Sequence, residues 1–238
     1  MNKEDIVKNL KRDIPVVFYD VTDSTNLRAR DFIKSHHPDR AVIVASGQSA
    51  GRGRLGRNFY SPSDTGIYMT YVLRSEGKLC DAVRITTATA VAVAEAIGDK
   101  ARIKWVNDIY VGGKKVCGIL TEAVNDGESL YIIIGIGINV TTEVFPDDIK
   151  NSAGSIGKCD KSELVADICD RLQNVQTSDY IDSYRKRLLW RGEDIVYIQN
   201  NERHPATLVD VDDDGGLIVV ENGNKKTLTS GEISIREI

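Results

Sequence analysis

Residues 51–57 read Gly-Arg-Gly-Arg-Leu-Gly-Arg, with glycines spaced G-x-G-x-x-G and Arg52, Arg54 and Arg57 among them. That spacing marks a dinucleotide-binding turn, whose last glycine opens a helix with its N-terminus facing a pyrophosphate. Here Gly56 leads into Arg-Asn-Phe-Tyr-Ser-Pro-Ser-Asp, and Pro62 among turn-forming residues is incompatible with a long helix. The dinucleotide reading fails on context. What is left is a cationic, glycine-rich loop whose backbone can approach a ligand and whose guanidinium forks suit phosphate and carboxylate oxygens. Taken alone, the segment reads as well as a solvated basic loop without a role.

Two further groupings bear on that choice. Along Tyr131-Ile-Ile-Ile-Gly-Ile-Gly-Ile-Asn139, side chains of a strand alternate between faces. Ile132, Ile134, Ile136 and Ile138 take one face. Gly135, Gly137 and Asn139 take the other, which is bare and ends in an amide. Glycine weakens a strand, so two on one face point to something lying flat against the backbone: a ligand, or a closely packed helix such as the alanine-rich 86–97 segment. Gly118 clears another position, with Lys115 three residues before it. Lys104-Trp-Val-Asn-Asp108 gathers a cation, an amide (Asn107) and a carboxylate where a strand reaches a turn. Such a group suits nucleotide phosphates and Mg²⁺, which favours a carboxylate plus phosphate oxygens.

The elements that must position these groups follow from periodicity and turn chemistry. Residues 15–21, 41–46 and 66–74 read as strands, and Asp23 or Ser24 caps a helix with Leu27, Ala29, Phe32 and Ile33 as its buried stripe. Residues 81–98 form a helix of small and apolar residues ending at Gly98. RIKWVNDIYV, a Gly112-Gly113 turn and KKVCGILTEAV read as a β-hairpin, LYIIIGIGINV follows as a strand, and helices at 161–174 and 178–189 close the region. The pattern predicts an α+β domain over 1–189, built on a mixed or antiparallel sheet with flanking helices. From residue 190 onward, five short strands separated by NNER, DDDGG and ENGN predict a small C-terminal β-barrel or sandwich, 190–238.

Composition narrows the function classes. The chain has 238 residues, 41% hydrophobic and 28% charged, as ordinary globular proteins do. A formal net charge of −4 argues against a general polyanion binder. Cys80, Cys117, Cys159 and Cys169 are far apart and only three histidines accompany them, which disfavours a zinc site and fits reduced thiols. The N-terminus lacks a signal peptide's apolar core and the longest apolar run is too short for a bilayer, so a cytoplasmic protein without membrane association is expected.

Taken together, Ser24-Thr25-Asn26, Gly47-Gln48-Ser49-Ala50 continuing into the glycine-arginine loop, Lys104 to Asp108, Lys114 to Leu120 and Gly135 to Val140 resemble the biotin protein ligases. The closing Gly231-Glu-Ile-Ser-Ile-Arg236 resembles the end of that family's SH3-like domain, so the likeness spans essentially the whole chain. The resemblance implies a class II synthetase-like mixed sheet with the loop folding over biotin. It places Ser24, Thr25 and Asn26 at the biotin pocket. Gln48, Arg52, Gly53 and Arg54 would contact biotin or its adenylate, with Gly51 in the same loop. Lys115 would touch the biotin carboxylate and the α-phosphate, and Arg57, Asn107 and Asn139 would lie near ATP, with Lys104 beside them. Lys115, Arg52 and Arg54 would be the catalytic group.

Biotin, ATP and Mg²⁺ are the implied ligands, with no particular metal-binding residue indicated. The implied partner is the biotin carboxyl carrier domain of a biotin-dependent carboxylase, and homodimers through sheet edges are common in the family. Two positions depart from its pattern: Val106 stands where proline is usual, and Phe59 where tryptophan is usual, keeping an aromatic surface without the indole N–H. Fourteen residues precede Pro15, fewer than a winged helix-turn-helix needs, so a monofunctional ligase without DNA binding is expected. Lipoate ligases are the nearest enzyme rival, and the loop and the C-terminal domain favour biotin. A nucleic-acid module would call for a basic barrel with exposed aromatics. The tail instead carries Asp210, Asp212, Asp213 and Asp214 and one tyrosine, Tyr197.

Overall fold

Apolar segments bounded by turns form β1 (Val16–Thr22), β2 (Arg40–Gln48) and β3 (Gly66–Arg74) in the structure, a computed structural model. It describes residues 1–75, 82–200 and 202–229, and the backbone of 234–237. Cys80 and residues 231–233 of the closing motif lie outside the described residues. Helix α1 (Lys3–Asn9), which pattern reading did not anticipate, is capped by Asn2 accepting from the Asp5 N–H and buries Ile6. Helix α2 (Thr25–His36) carries the chain across from β1 to the parallel β2.

After α3 (Ala82–Ile97) come β4 (Arg102–Lys104), β5 (Asp108–Val111), β6 (Lys114–Asn125), β7 (Leu130–Asn139), α4 (Lys161–Leu172) and α5 (Ile181–Arg187). The seven strands form one mixed sheet in the order β1-β2-β3-β7-β6-β5-β4. All its neighbours except β1 and β2 are antiparallel.

The two faces of this sheet differ. On one, Ile132, Ile134, Ile136 and Ile138 of β7 join the main core with Ile85 and Val93 of α3 and Val165 and Ile168 of α4. On the other, Ala29 and Ile33 of α2 pack on Ile43, Val72, Tyr131 and Ile133. Leu27 and Phe32, expected in the α2 stripe, are only half-buried, while Thr25 and Asn26 at the start of the helix are buried. Two buried polar residues at a helix entrance need partners, and those partners build the site described below. Ile134 is wholly buried. Ile134→Val should lower unfolding free energy by about 1 kcal/mol, measured as a urea midpoint shift at unchanged slope.

Within RIKWVNDIYV, read as a hairpin arm with a strand reaching a turn at Lys104–Asp108, the structure resolves two strands and the turn between them. Residues 105–107 turn, so β4 and β5 form their own hairpin with Lys104 opposite Asp108. The turn is fixed from a distance. Trp105 Nε1 donates to the Gly215 carbonyl at 2.8 Å, Asn107 Nδ2 donates to the Ile119 carbonyl at 2.9 Å, and the Ile119 N–H returns a bond to Asn107 at 3.0 Å. These tertiary bonds override the local β-preference. The Trp105–Val106 peptide is cis.

The C-terminal strands β8 (Asp194–Gln199), β9 (Glu202–Val211), β10 (Leu217–Glu221), β11 (Asn224–Leu228) and β12 (Ser234–Glu237) form an antiparallel sheet ordered β11-β10-β9-β8-β12. Its Ile195, Leu208 and Leu217 belong to the same hydrophobic core as Ile85 and Val93 of α3. Arg185 of α5 reaches the Val211 carbonyl and Asp213. Tyr197 is buried with its hydroxyl donating to Glu221 at 2.6 Å, so it offers no stacking surface to a base.

Candidate active site

The glycine-arginine segment folds as a narrow hairpin over the sparsely covered face of the sheet. Arg52 pairs with Asn58, the Phe59 N–H bonds Gly51 O at 2.9 Å, and the Gly53 N–H bonds Arg57 O at 2.7 Å. Its tip is one 3₁₀ turn, Arg54–Gly56, with Leu55 at φ 57° and Gly56 at φ 71°. The third glycine thus closes a left-handed tip and opens no helix. Gly51 has no room for a side chain: a Cβ would come within 2.5 Å of the Phe59 carbonyl and of Ser61 Oγ.

Beneath the hairpin lies a cavity of about 580 Å³. The bare face of β7 forms part of its floor, and two protein side chains reach that face. A Cβ on Gly135 would run into the Asn26 amide, and one on Gly137 into the Phe59 ring; on Gly118 it would stand 3.2 Å from that ring. The helix considered for this face is not the alanine-rich α3, which packs in the core on the isoleucine side; α2 takes part of the face, with Asn26 on Gly135 and Ala29 and Ile33 on Tyr131 and Ile133, and leaves the rest to the cavity. Phe59 needs only its ring here, lying on Gly137 and meeting Tyr68 edge-on at 6.5 Å between centroids. Gly137→Ala should displace Phe59 and lower affinity for the biotin that the resemblance implies by about tenfold or more, read by calorimetry; unchanged affinity would show that the floor is not used.

The charged wall comes from β4, β5 and β6. Lys115 Nζ pairs with Asp108 Oδ1 at 2.7 Å, and Arg54 Nη1 donates to Asn107 Oδ1 at 2.9 Å, joining the hairpin tip to the 105–107 turn. Burial pulls the Arg54 pKa below its ordinary value; Asp108 opposes that and Arg57 adds to it. An arginine so placed stays charged at neutral pH. Lys104 Nζ sits 5.5 Å over the Trp190 ring. Arg52, Arg54, Arg57, Lys104 and Lys115 line the cavity against Asp108 and Asp148, so this region is cationic in a chain of net charge −4 and suits anions.

The opposite wall is neutral and polar. Gln48 Oε1 accepts the Thr25 N–H at 2.9 Å, and Gln48 Nε2 donates to Ser61 Oγ at 3.0 Å. Asn26 bridges Glu122 and Thr70, at 2.8 and 2.6 Å. Ser61, Thr70 and Glu122 escaped sequence reasoning. The available signals were slight: Thr70 is the one aliphatic hydroxyl in β3, and Glu122 the only acid in β6.

All the site residues named from the sequence line the cavity except Gly51 and Asn139. Asn139 is buried at the end of β7, where its Nδ2 donates to the Gly154 carbonyl at 3.0 Å. The segment it holds brackets Lys115, whose N–H bonds Ser152 O at 2.8 Å and whose carbonyl accepts from Gly154 N at 2.9 Å. Asn139 therefore acts one step behind the charged wall. Among the described residues, no group of three or more His, Cys, Asp or Glu could hold a metal ion, and no helix is long and apolar enough to cross a membrane.

A mixed sheet roofed by a cationic hairpin, joined to a small β-sheet domain, is an arrangement shared with known proteins. The profile of the Biotin/lipoate A/B protein ligase family matches residues 18–139, and that of the Biotin protein ligase C terminal domain matches 205–236. The bifunctional ligase/repressor BirA of Bacillus subtilis is 31% identical over 242 residues, covering 92% of this chain and 74% of that one. A biotin–[acetyl-CoA-carboxylase] ligase of Mycobacterium tuberculosis is 26% identical, over 82% of this chain and 79% of its own. The structure of the biotin protein ligase from Aquifex aeolicus in complex with biotin and ATP superposes with a TM-score of 0.81 at 25% identity, covering 94% and 99% of the two chains. The chain belongs to the biotin/lipoate A/B protein ligase family and is, within it, a biotin protein ligase, an enzyme that uses ATP to attach biotin to protein.

Proposed function

We propose that the cavity under the hairpin carries out both half-reactions of the ligase. In the first, an oxygen of the biotin carboxylate attacks the α-phosphorus of ATP, the bond to pyrophosphate breaks, and biotinyl-5′-adenylate forms. In the second, a neutral lysine amine of a carrier domain attacks the acyl carbon, the bond to AMP breaks, and the amine proton passes to solvent. A carboxylate and a triphosphate repel each other, so the first step needs concentrated positive charge between them. The observation that carries the reading is the cationic wall of Lys115, Arg54 and Arg52 facing a glycine floor. Fixed charges aimed at the reacting oxygens act by positioning and electrostatic stabilisation.

The neutral wall suits biotin's uncharged ring, with Ser24, Thr25, Asn26 and Gln48 as its contacts. Gly53 lets the hairpin backbone approach, and Arg57, Asn107 and Lys104 serve the nucleotide end. Asn139 supports that end through the segment bracketing Lys115. Mg²⁺ fits the donor set, because it is held by one or two carboxylates plus substrate phosphates and Asp108 and Asp148 line the cavity. When bound, it would neutralise phosphate charge. The acceptor fits the biotin carboxyl carrier domain of a biotin-dependent carboxylase, in the cytoplasm. Incubation with ATP, Mg²⁺, biotin and such a domain should add one biotinyl group to a single lysine, seen by intact mass spectrometry. No mass gain, or a gain with lipoate in place of biotin, would overturn the reading.

A further inference from the structure

Behind the neutral wall, a line of hydrogen bonds ends on a carboxylate that the reaction does not use. Glu122 Oε2 accepts from Asn26 Nδ2 at 2.8 Å, and Glu122 Oε1 accepts from Arg30 Nη2, also at 2.8 Å. Asn26 Oδ1 accepts from Thr70 Oγ1 at 2.6 Å, and Thr70 Oγ1 lies 2.9 Å from Thr25 Oγ1. Thr25 Oγ1 is in turn 3.2 Å from Gln48 Oε1. Thr70 is wholly buried, and Thr25 and Asn26 nearly so. Thr25 and Asn26 line the cavity; Arg30, Thr70 and Glu122 do not.

The Asn26 amide and the Thr70 hydroxyl can be oriented in only one sense. An ionised carboxylate only accepts, so Asn26 must turn its NH₂ to Glu122 and its carbonyl to Thr70. That carbonyl also only accepts, so the single hydroxyl proton of Thr70 goes to Asn26. Thr70 then offers Thr25 lone pairs alone. The Thr25 proton is drawn into the protein, toward Thr70 or Gln48 Oε1, both of which are acceptors. Thr25 is left with lone pairs for the cavity. Without an acceptor-only group at position 122, the Asn26 amide is free to turn over and the line to reverse.

We infer that Glu122, held by Arg30 and acting through Asn26 and Thr70, is a positioning residue that makes Thr25 an acceptor for a ligand N–H. This rests on the biotin reading of the neutral wall, since the cyclic urea of biotin presents two N–H donors. A site built to accept a particular N–H loses affinity when its polarity is scrambled, because buried groups then face each other donor to donor.

The test compares KM for biotin, KM for ATP and kcat in the wild type, Thr70→Val, Thr70→Ser and Glu122→Gln, with thermal midpoints alongside. Thr70→Val and Glu122→Gln should raise the biotin KM by about tenfold or more. Thr70→Ser, which keeps the hydroxyl, should stay within about twofold of wild type, and the ATP KM and kcat within about threefold in every variant. If Glu122→Gln proves unstable, the isosteric Thr70→Val and the hydroxyl-keeping Thr70→Ser carry the comparison. An unchanged biotin KM in Thr70→Val, or an equal rise in the ATP KM, overturns the proposal while wild-type biotin turnover stands. A wild type that turns over no biotin overturns instead the reading on which it rests.

Discussion

Lys115→Ala should slow adenylate formation by about 10²–10³-fold while changing biotin affinity only a few-fold. Lys115 is held from two sides: its backbone is clamped by Ser152 and Gly154, and its ammonium is paired to Asp108 at 2.7 Å. Its side chain is about one-third exposed, so part of its field reaches solvent and part the cavity. The charge matters most when the carboxylate and the α-phosphate are forced together, which happens on the way to the transition state. Truncation also leaves Asp108 without that cation, adding negative charge where two anions must meet. Binding of biotin alone involves one anion and loses less. Single-turnover pyrophosphate release, set beside calorimetric biotin binding, separates the two quantities. Equal losses in both would assign Lys115 to ground-state binding.

Arg54→Gly should release the adenylate at least about tenfold faster, with the intermediate still formed. Arg54 joins the hairpin tip to Asn107 at 2.9 Å, on the turn that β4 and β5 share with the charged wall. A glycine there removes this charge-assisted bond and loosens the tip. The adenylate is a mixed anhydride that water destroys, and in the proposed reaction the hairpin over the cavity would keep it for the carrier lysine. Hydroxylamine trapping of released adenylate measures the leak directly. A variant that leaks no faster than wild type removes the retaining role from Arg54.

The floor of the site was the most legible part of the sequence, because strand alternation has a period of two and β7 follows it without a break. Isoleucines went to the core and glycines to the cavity. What lies on those glycines was not legible: Asn26 and Phe59 arrive there from other elements, placed by α2 and by the hairpin. The turn at Lys104–Asp108 was marked in the sequence, whereas what holds it, Gly215 and Ile119, lies in other elements and was not legible. Thr70 and Glu122 were invisible for a related reason, since each looks like an ordinary strand residue until its partner on α2 is known. The C-terminal strands were marked by their turns, whereas the core they share with α3 depends on packing alone. The glycine-arginine segment shows how context decides a motif: with Pro62 downstream, its spacing makes a hairpin tip, and its arginines rather than a helix end supply the positive charge.

A crystal structure with biotin and a non-hydrolysable ATP analogue tests the central claim most directly. Both ligands should lie between the 51–59 hairpin and the floor of Gly118, Gly135 and Gly137, with the biotin carboxylate and the α-phosphate side by side at Lys115 and the ring urea at Thr25. Either ligand bound elsewhere, with Arg52, Arg54 and Lys115 untouched, would contradict it.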